Sequence, residues 1–213
     1  MKIGILGTGD VGQTLGKAFV SLGGDVKMGS RDAKNAKALG WAKGVGAKAT
    51  VGTFGEAAAF GEVVVLATLG SANEAVIKAT GAERFRGKVV IDTTNPLDFS
   101  TGKPQLSIGH TDSAGEQVQR LLPDAKVVKA FNTVGNAHMF RPSFVGGPPD
   151  MFICGNDVGA KRTVASILGD FGWGTVDLGG IEAARLLEPM CLAWVTYGML
   201  TNSWNHAFKL LRK

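Results

Sequence analysis

The stretch GILGTGDVG, residues 4–12, decides the fold. Its Gly7, Gly9 and Gly12 have G-x-G-x-x-G spacing, follow a short apolar run and open an amphipathic segment, residues 10–22. In this context the first glycine permits a tight turn, the second lets the backbone approach a pyrophosphate, and the third lets the helix pack closely on the strand. The stretch therefore predicts a βαβ unit that binds a dinucleotide, with the phosphates at the helix N-terminus.

A phosphate-binding loop of the P-loop type does not fit the same stretch. Counting back from Gly16-Lys17 places Val11 where that motif needs glycine. It also places Ala18 where the motif needs serine or threonine.

Apolar runs and amphipathic segments alternate along the rest of the chain. The unbroken apolar run within 62–68 is typical of a parallel strand that is covered on both faces, and 88–94 is predicted to be another buried strand. We predict strands at 2–7, 25–29, around Val51, and at 62–68, 88–94, 126–132, 150–154 and 175–178. We predict helices at 10–22, 33–43, 55–61, 71–80, 113–122, 158–171 and 181–211, the last interrupted at Pro189. This order predicts an α/β fold: a doubly wound, mostly parallel Rossmann sheet with a small C-terminal helical extension.

Composition narrows the class of protein. The 213 residues are 45% hydrophobic and 19% charged, as in a globular protein. Cys154 and Cys191 lie far apart in apolar surroundings, which indicates buried reduced thiols in the cytoplasm and no metal site. We expect no membrane association, because the apolar stretch 189–204 is shorter than a membrane span and the N-terminus lacks the features of a signal peptide.

Basic side chains are concentrated between residues 27 and 48, in a chain of net charge +5. They are Lys27, Arg31, Lys34, Lys37, Lys43 and Lys48, opposed only by Asp32. A nucleic acid is one explanation and a solvated helix face is another, but a small anionic ligand beside Arg31 needs only one or two of these charges. We expect no nucleic-acid partner.

The stretch MGSRD, residues 28–32, predicts which nucleotide binds. About 20 residues after the second glycine, NAD-binding folds place a carboxylate that holds the ribose hydroxyls. Here Ser30 and Arg31 can instead hold a 2′-phosphate, and Lys34 adds a positive charge. We therefore expect NADP(H). Asp32 would favour NAD(H) if it pointed into the pocket, but we expect it to cap the following helix.

Several stretches together resemble a known family. KIGILGTGDVGQTLGKAFVSLGGDVKMGSRD, VIDTTNPL, VKAFNTVG and AARLLEPMCLAW are similar to the NADPH-dependent deazaflavin (coenzyme F420) oxidoreductases, over essentially the whole chain. The cytosolic domains of transmembrane metalloreductases, which pass electrons from NADPH to a flavin, share the fold. The resemblance implies direct hydride transfer between NADPH and a flavin-like small-molecule acceptor. We expect deazaflavin coenzyme F420, and an NADPH-dependent flavin or ferric reductase is the alternative. Such a transfer implies no catalytic side chain, because the cofactors carry the chemistry.

The resemblance also implies which residues bind the cofactor. Besides Gly7, Gly9 and Gly12, the expected contacts are Thr8, Asp10 and Val11 at the pyrophosphate; Ser30, Arg31 and Lys34 at the 2′-phosphate; Thr68, Leu69 and Gly70 at a ribose; Thr94, Asn95 and Pro96 around the nicotinamide; and Asn132, Thr133, Val134 and Ala137 at the nicotinamide amide and the acceptor. The archaeal enzymes tend to have His-Thr-Ile-Pro where this chain has residues 132–135, whereas the metalloreductases have Phe-Asn-Thr, as at 131–133 here. This departure leaves the acceptor open.

The loops around Gly102 and Gly146 are the candidate boundaries. We divide the chain into an NADP(H)-binding Rossmann domain, 1–145, and a small segment, 146–213, that contributes the acceptor site and dimerisation. The mostly apolar C-terminal helix indicates a homodimer.

Other side chains have ordinary explanations. Arg185 and Glu188 are spaced as a pair on one helix face, although a kink at Pro189 could turn them toward the cleft. His138 could donate a proton near the acceptor, but we expect it in a surface loop. The side chains of Trp194, Tyr197 and Met199 are expected in core or dimer contacts.

Other classes of dinucleotide-binding protein compete with this family. Tyrosine-lysine short-chain dehydrogenases are excluded, because Tyr197 is the only tyrosine and Thr201 occupies the lysine position. Hydroxyacid dehydrogenases and imine reductases share the nucleotide half but need a long helical second domain. A non-enzymatic NADPH sensor remains an alternative.

Overall fold

The computed structural model describes residues 1–213. Ten strands are formed: β1 Lys2–Leu6, β2 Asp25–Ser30, β3 Ala49–Thr53, β4 Val63–Leu66, β5 Val89–Asp92, β6 Leu97–Asp98, β7 Gln105–Leu106, β8 Lys126–Lys129, β9 Asp150–Gly155 and β10 Gly174–Asp177. Seven α-helices are formed: α1 Asp10–Ser21, α2 Ala36–Val45, α3 Phe54–Phe60, α4 Asn73–Thr80, α5 Ala114–Leu121, α6 Val158–Asp170 and α7 Ala184–Thr201.

Eight strands form one sheet in the order β10-β9-β8-β5-β4-β1-β2-β3. Neighbouring strands from β3 across to β8 are parallel, and β9 pairs with β8 in the antiparallel direction. The chain moves outward from β1 to β2 and β3, then returns to the other side of β1 at β4. The predicted α/β Rossmann fold is confirmed, and the reversal between β1 and β4 creates the crevice in which such sheets bind ligands.

The sheet separates two hydrophobic cores. Alternate side chains of β1, such as Ile3 and Ile5, face α1 and α6, whereas Leu6 belongs to the cluster under α3 and α4. Both faces of the central strands are buried, which explains why these strands read as unbroken apolar runs. Strands β9 and β10, on the C-terminal side of residue 145, extend the same sheet.

The prediction that Asp32 caps the second helix is wrong. Helix α2 begins at Ala36, and its N-cap is Asn35, whose side chain accepts a hydrogen bond from the amide of Ala38. Asp32 Oδ1 instead accepts from the amide of Lys34 at 2.8 Å. It therefore closes a turn over residues 32–34, ahead of the helix.

The C-terminal prediction needs two corrections. Helix α7 passes through Pro189 without interruption. It ends at Thr201, because the C-cap residue Asn202 adopts a left-handed conformation with φ of 49°. The residues after it are therefore not helical to 211 as expected. They fold back instead: the carbonyl of Phe208 accepts from the amide of Asp150 at 2.9 Å.

The long polar loop after β5 contains a short antiparallel hairpin, β6 and β7, that the sequence did not predict. Two residues per strand are too few for a visible alternation of apolar and polar side chains. None of the helices combines the length and the hydropathy that a membrane span requires.

Candidate active site

One large cavity, of about 1150 Å³, opens at the carboxyl ends of the strands around the β1–β4 reversal. Most of the predicted cofactor-binding residues line it: Gly7, Thr8, Gly9, Asp10, Val11, Ser30, Arg31, Thr68, Leu69, Gly70, Thr94 and Asn95. The other predicted residues do not line it: Gly12, Lys34, Pro96, Asn132, Thr133, Val134 and Ala137. We call the side that carries Ser30 and Arg31 the β2 end, and the side formed by residues 68–70, 94–95, Leu97 and Phe99 the β5 end.

The glycine loop leaves the N-terminus of α1 free for an anion. Gly9 is the N-cap, no side chain caps the helix, and a Cβ atom at Gly9 would meet nothing within 4 Å. Gly7 has φ of +127°, a conformation that favours glycine. A Cβ atom at Gly12 would lie 2.5 Å from the carbonyl oxygen of Gly7, so Gly12 allows the close approach of helix and strand. Free amides beside open space fit a pyrophosphate.

At the β2 end the charged side chains are exposed and the serine is buried. The Ser30 hydroxyl donates a hydrogen bond to the carbonyl oxygen of Asp32. Arg31 has no carboxylate partner, so its guanidinium is available to a ligand. Asp32 and Asn35 also line the cavity, whereas Lys34 is exposed outside it.

Small side chains form a wall that the sequence reasoning missed. Ala72, Ala75 and Ala79 lie on the cavity side of α4 and of the turn before it, and Phe54 at the start of α3 lines the same side. Their spacing of three and four residues repeats on one helix face. That repeat of alanines was a signal that could have been used.

A row of hydrogen bonds begins at the β5 end and runs into the protein. The Thr68 hydroxyl donates to Asn73 Oδ1 at 3.1 Å, and Asn73 Nδ2 donates to Thr94 Oγ1 at 2.7 Å. The Thr94 hydroxyl and amide both donate to Asp92 Oδ1, at 2.7 and 2.9 Å. We call Thr68, Asn73, Thr94 and Asp92 the threonine relay. It joins the ends of β4 and β5 to the start of α4.

The relay ends on a buried ion cluster. Lys129 is fully buried, and its Nζ lies 2.7 Å from Asp92 Oδ2 and 3.2 Å from Glu188 Oε1. The same nitrogen donates to the carbonyl oxygen of Thr94 at 2.8 Å. Desolvation disfavours the ammonium form, but the two carboxylates outweigh it and raise the pKa of Lys129. Burial raises the pKa of Glu188.

Glu188 also joins this cluster to a helix end. Its two carboxylate oxygens accept from the amides of Ala114 and Gly115, at 3.0 and 2.9 Å, at the start of α5. The predicted pair of Arg185 with Glu188 is therefore wrong, because Arg185 reaches across to Glu116 instead. Neither side chain lines the cavity. Lys129 was visible in the sequence as a charge closing an apolar strand.

Asn132 lies behind Asn95 at the β5 end and does not line the cavity. Phe131 turns the chain there with φ of +62°, which is unusual for a residue with a side chain. Asn132 Nδ2 donates to Asn95 Oδ1 and to the carbonyl oxygen of Leu187, whereas its buried Oδ1 has no partner. Because this oxygen is buried and Asn132 does not line the cavity, its contact with the nicotinamide stays a prediction. Asn136, four residues on, lines the cavity and was missed.

The remaining candidates lie away from the cavity. His138 Nε2 lies 3.1 Å from Asn205 Oδ1. Trp194 is buried and stacks on His206, whereas Tyr197 and Met199 are exposed on α7. Cys154 and Cys191 are free and buried, as predicted, and burial raises the pKa of each thiol to about 12.

Known proteins share this architecture. The family model described as NADP oxidoreductase coenzyme F420-dependent matches residues 2–96. The F420-dependent NADP reductase of Methanothermobacter marburgensis is 34% identical, with 89% of each chain covered. Metalloreductase STEAP3 of Rattus norvegicus is 31% identical over 90% of this chain, which spans only 36% of that protein.

A crystal structure from Arthrobacter sp. FB24, described provisionally as an F420-dependent NADP reductase, matches with a TM-score of 0.94. It is 40% identical, and all of both chains is covered. Identity of this degree over nearly full-length relatives is sufficient to assign the family. The chain belongs to the coenzyme F420-dependent NADP oxidoreductases.

Proposed function

We propose that this oxidoreductase transfers a hydride between NADPH and a deazaflavin, coenzyme F420. The observation that carries the proposal is the cavity at the β1–β4 reversal. It combines a helix N-terminus with free amides, the Ser30-Arg31 pair at one end and an end without titratable side chains at the other. The relatives named F420-dependent NADP reductases support the choice of acceptor.

The β2 end supports NADP(H) as the nucleotide. The amides at the start of α1 would bind the pyrophosphate, and Arg31 would bind the 2′-phosphate with its planar fork. Asp32 lines the same end, but its Oδ1 is occupied by the amide of Lys34. The small side chains of α4 leave room for the adenosine.

At the β5 end the protein would position two rings. When bound, NADPH supplies the hydride and the deazaflavin receives it, so no protein nucleophile is required. Thr68, Thr94 and Asn95 would orient the nicotinamide half, and the ring faces would lie in near contact. The titratable lining residues Asp10, Arg31 and Asp32 follow β1 and β2, so the accompanying proton would come from solvent.

The rim of the β5 end offers an apolar surface for a flat acceptor. Leu69 is 77% exposed and Phe99 on the hairpin loop is 52% exposed. Gly70 lies between β4 and the loop after β5, and a Cβ atom there would lie 2.1 Å from the carbonyl oxygen of Asn95. Exposed apolar side chains beside polar orienting groups are typical of small-molecule sites.

The test is anaerobic NADPH oxidation with coenzyme F420, FMN and FAD side by side, with NADH as control donor. We expect rapid turnover with F420 and NADPH. Turnover with FMN or FAD alone would favour a flavin or ferric reductase, an alternative that the Phe131-Asn132-Thr133 sequence and the metalloreductase similarity support. Tight NADPH binding without turnover of any acceptor would favour a sensor.

We further propose a homodimer that forms through α7. Leu186, Pro189, Ala193, Tyr197 and Leu200 recur every three or four residues and are exposed, so one helix face presents a mostly apolar stripe. A two-fold axis across this stripe would bury it against itself. In this proposal residues 146–213 contribute the dimer contacts, while residues 1–145 bind the nucleotide and carry the Leu69 and Phe99 rim for the acceptor. Both free cysteines support a cytoplasmic location.

Light scattering at micromolar concentration tests the dimer, for which twice the chain mass of 22.2 kDa is expected. Leu200→Glu should convert the dimer to monomer, because it places a charge on the stripe. Leu210→Glu, an exposed change in the segment after α7, is the control that should remain dimeric. A monomeric parent chain would overturn the proposal.

A further inference from the structure

The threonine relay has only one consistent arrangement of its hydrogens. Asp92 accepts from Lys129 Nζ through Oδ2 and from the hydroxyl and amide of Thr94 through Oδ1. An ionised carboxylate can only accept. The Thr94 hydroxyl must therefore give its hydrogen to Asp92, and Thr94 Oγ1 can only accept from Asn73.

This direction passes along the relay to the cavity. Because Thr94 Oγ1 accepts, the amide nitrogen of Asn73 must face it at 2.7 Å, and Asn73 Oδ1 must face Thr68. That oxygen is an acceptor, so the Thr68 hydroxyl donates to it. The hydroxyl hydrogen of Thr68 is therefore used in the bond to Asn73. Only the lone pairs of Thr68 Oγ1 remain for a ligand in the cavity that Thr68 lines.

The buried ion cluster keeps the direction fixed. Lys129 and Asp92 are fully buried and occupy paired positions at the ends of β8 and β5. Neutralising Asp92 would leave the buried Lys129 ammonium with Glu188 alone, and losing the charge of Lys129 would leave both carboxylates without their cation. Both changes are unfavourable in the protein interior. Asp92 thus remains an acceptor. The Thr68 hydroxyl, which could otherwise rotate, then points its hydrogen at Asn73 and can only accept from a ligand.

We infer that Thr68 is a specificity-determining residue whose oxygen accepts a hydrogen bond from a donor on the nicotinamide half of the nucleotide, while Asn73, Thr94 and Asp92 act through it as positioning residues. This inference rests on the proposed binding of NADP(H). The donor is either the carboxamide NH₂ group or a hydroxyl of the nicotinamide ribose. Both present hydrogen to an acceptor, and they can be separated chemically.

The experiment measures dissociation constants without turnover for three ligands. They are NADP⁺, its 3-acetylpyridine analogue, which lacks the carboxamide NH₂, and an analogue whose nicotinamide ribose lacks both hydroxyls. Thr68→Val removes the oxygen at nearly constant size, and Thr68→Ser restores it. Thermal melting without ligand checks that each variant folds.

We expect Thr68→Val to weaken NADP⁺ binding by about three- to tenfold, the usual range for one neutral hydrogen bond. It should leave unchanged the affinity for whichever analogue already lacks the donor, and Thr68→Ser should bind like the parent chain. If Thr68→Val weakens NADP⁺ but not the acetylpyridine analogue, the donor is the carboxamide. If it weakens NADP⁺ but not the analogue without ribose hydroxyls, the donor is a hydroxyl. Equal changes for all three ligands, or no change, would overturn the inference.

Asn73→Leu tests the relay from behind the cavity wall, because Asn73 is buried and does not line it. Thr68 would then be free to rotate and donate. The preference for NADP⁺ over the analogue that lacks the donor should fall toward the preference measured for Thr68→Val, although Thr68 itself is unchanged. An unchanged preference in a folded Asn73→Leu variant would show that the relay does not direct Thr68.

Failure of this inference is distinguishable from failure of the proposed function. A parent chain that turns over F420 with NADPH, while Thr68→Val binds all ligands normally, overturns the inference alone. A parent chain that does not bind NADP⁺ overturns both.

Discussion

At the β2 end of the cavity, the charged groups offered to a ligand are exposed and have their contacts with neighbouring residues in the sequence. At the β5 end, the polar groups depend on buried contacts between distant elements. Arg31 has no carboxylate partner, and the turn around it is closed by Asp32 and Lys34. Thr68 is held by Asn73, Thr94 and Asp92, and Asp92 by Lys129. Arg31 should therefore be replaceable without loss of stability, whereas Lys129, which holds the buried end of the relay, should not.

The largest effect should follow from breaking the buried cluster. Lys129→Met leaves Asp92 and Glu188 buried without their cation, and we expect the free energy of unfolding to fall by about 3–5 kcal/mol. Urea unfolding measures it. The control, Arg120→Met, breaks an exposed ion pair with Asp112 and should cost about 1 kcal/mol or less. Equal losses in the two variants would remove the distinction between the buried and exposed charges.

Two glycines of the same loop should separate binding from stability. At Gly9 the backbone is extended, with φ of −76°, and an added Cβ atom meets no protein atom. Gly9→Ala should therefore fold normally but weaken NADP⁺ by at least about tenfold, or ~1.4 kcal/mol, because the methyl group occupies the pyrophosphate's place.

Gly12→Ala is the matched variant. Its Cβ atom would press on the carbonyl of Gly7, so we expect a loss of about 1–3 kcal/mol in unfolding free energy. Unfolding curves and NADP⁺ titrations on both variants check the pair. The account of the loop is contradicted if Gly9→Ala binds NADP⁺ like the parent chain.

Arg31→Ala should change nucleotide affinity at the β2 end without changing stability. Losing a charged hydrogen bond to the 2′-phosphate should weaken NADPH by about 10- to 100-fold, or ~1.5–3 kcal/mol, and leave NADH nearly unchanged. The melting temperature without ligand should not change, because Arg31 is exposed and has no carboxylate partner. Lys37→Ala, in the same basic stretch but outside the cavity, is the control. Equal losses for NADPH and NADH would refute the role of Arg31.

The smallest effect is expected at Asp32. Asp32→Asn retains an oxygen for the amide of Lys34 and removes a negative charge from the β2 end. NADPH should bind up to about fivefold tighter, corresponding to ~1 kcal/mol of relieved repulsion in water. Titration at low and high salt checks it, since screening should reduce the gain. Tighter binding of NADH instead would mean that Asp32 repels some other part of the nucleotide.

The sequence reasoning succeeded where the signal was local. The glycine spacing and the apolar strands each follow from residues close together in the chain, and the role of Ser30 and Arg31 at a 2′-phosphate stays a prediction. The reasoning failed where the partner is distant: Glu188 is separated by 59 positions from Lys129 and caps α5 rather than pairing with Arg185. It also failed at Asn202, because a single left-handed residue ended a helix that the apolar residues beyond it would have continued.

Isotope labelling tests whether the hydride passes directly from NADPH to the deazaflavin inside this cavity. NADPH carrying deuterium at C4, prepared separately on each face, would be oxidised with coenzyme F420, and the reduced product analysed by mass spectrometry. We predict that one of the two labelled forms transfers its deuterium to the deazaflavin carbon and that the label remains there, because a carbon-bound hydrogen does not exchange with water. Deuterium found in the solvent, or from neither face in the product, would contradict the account.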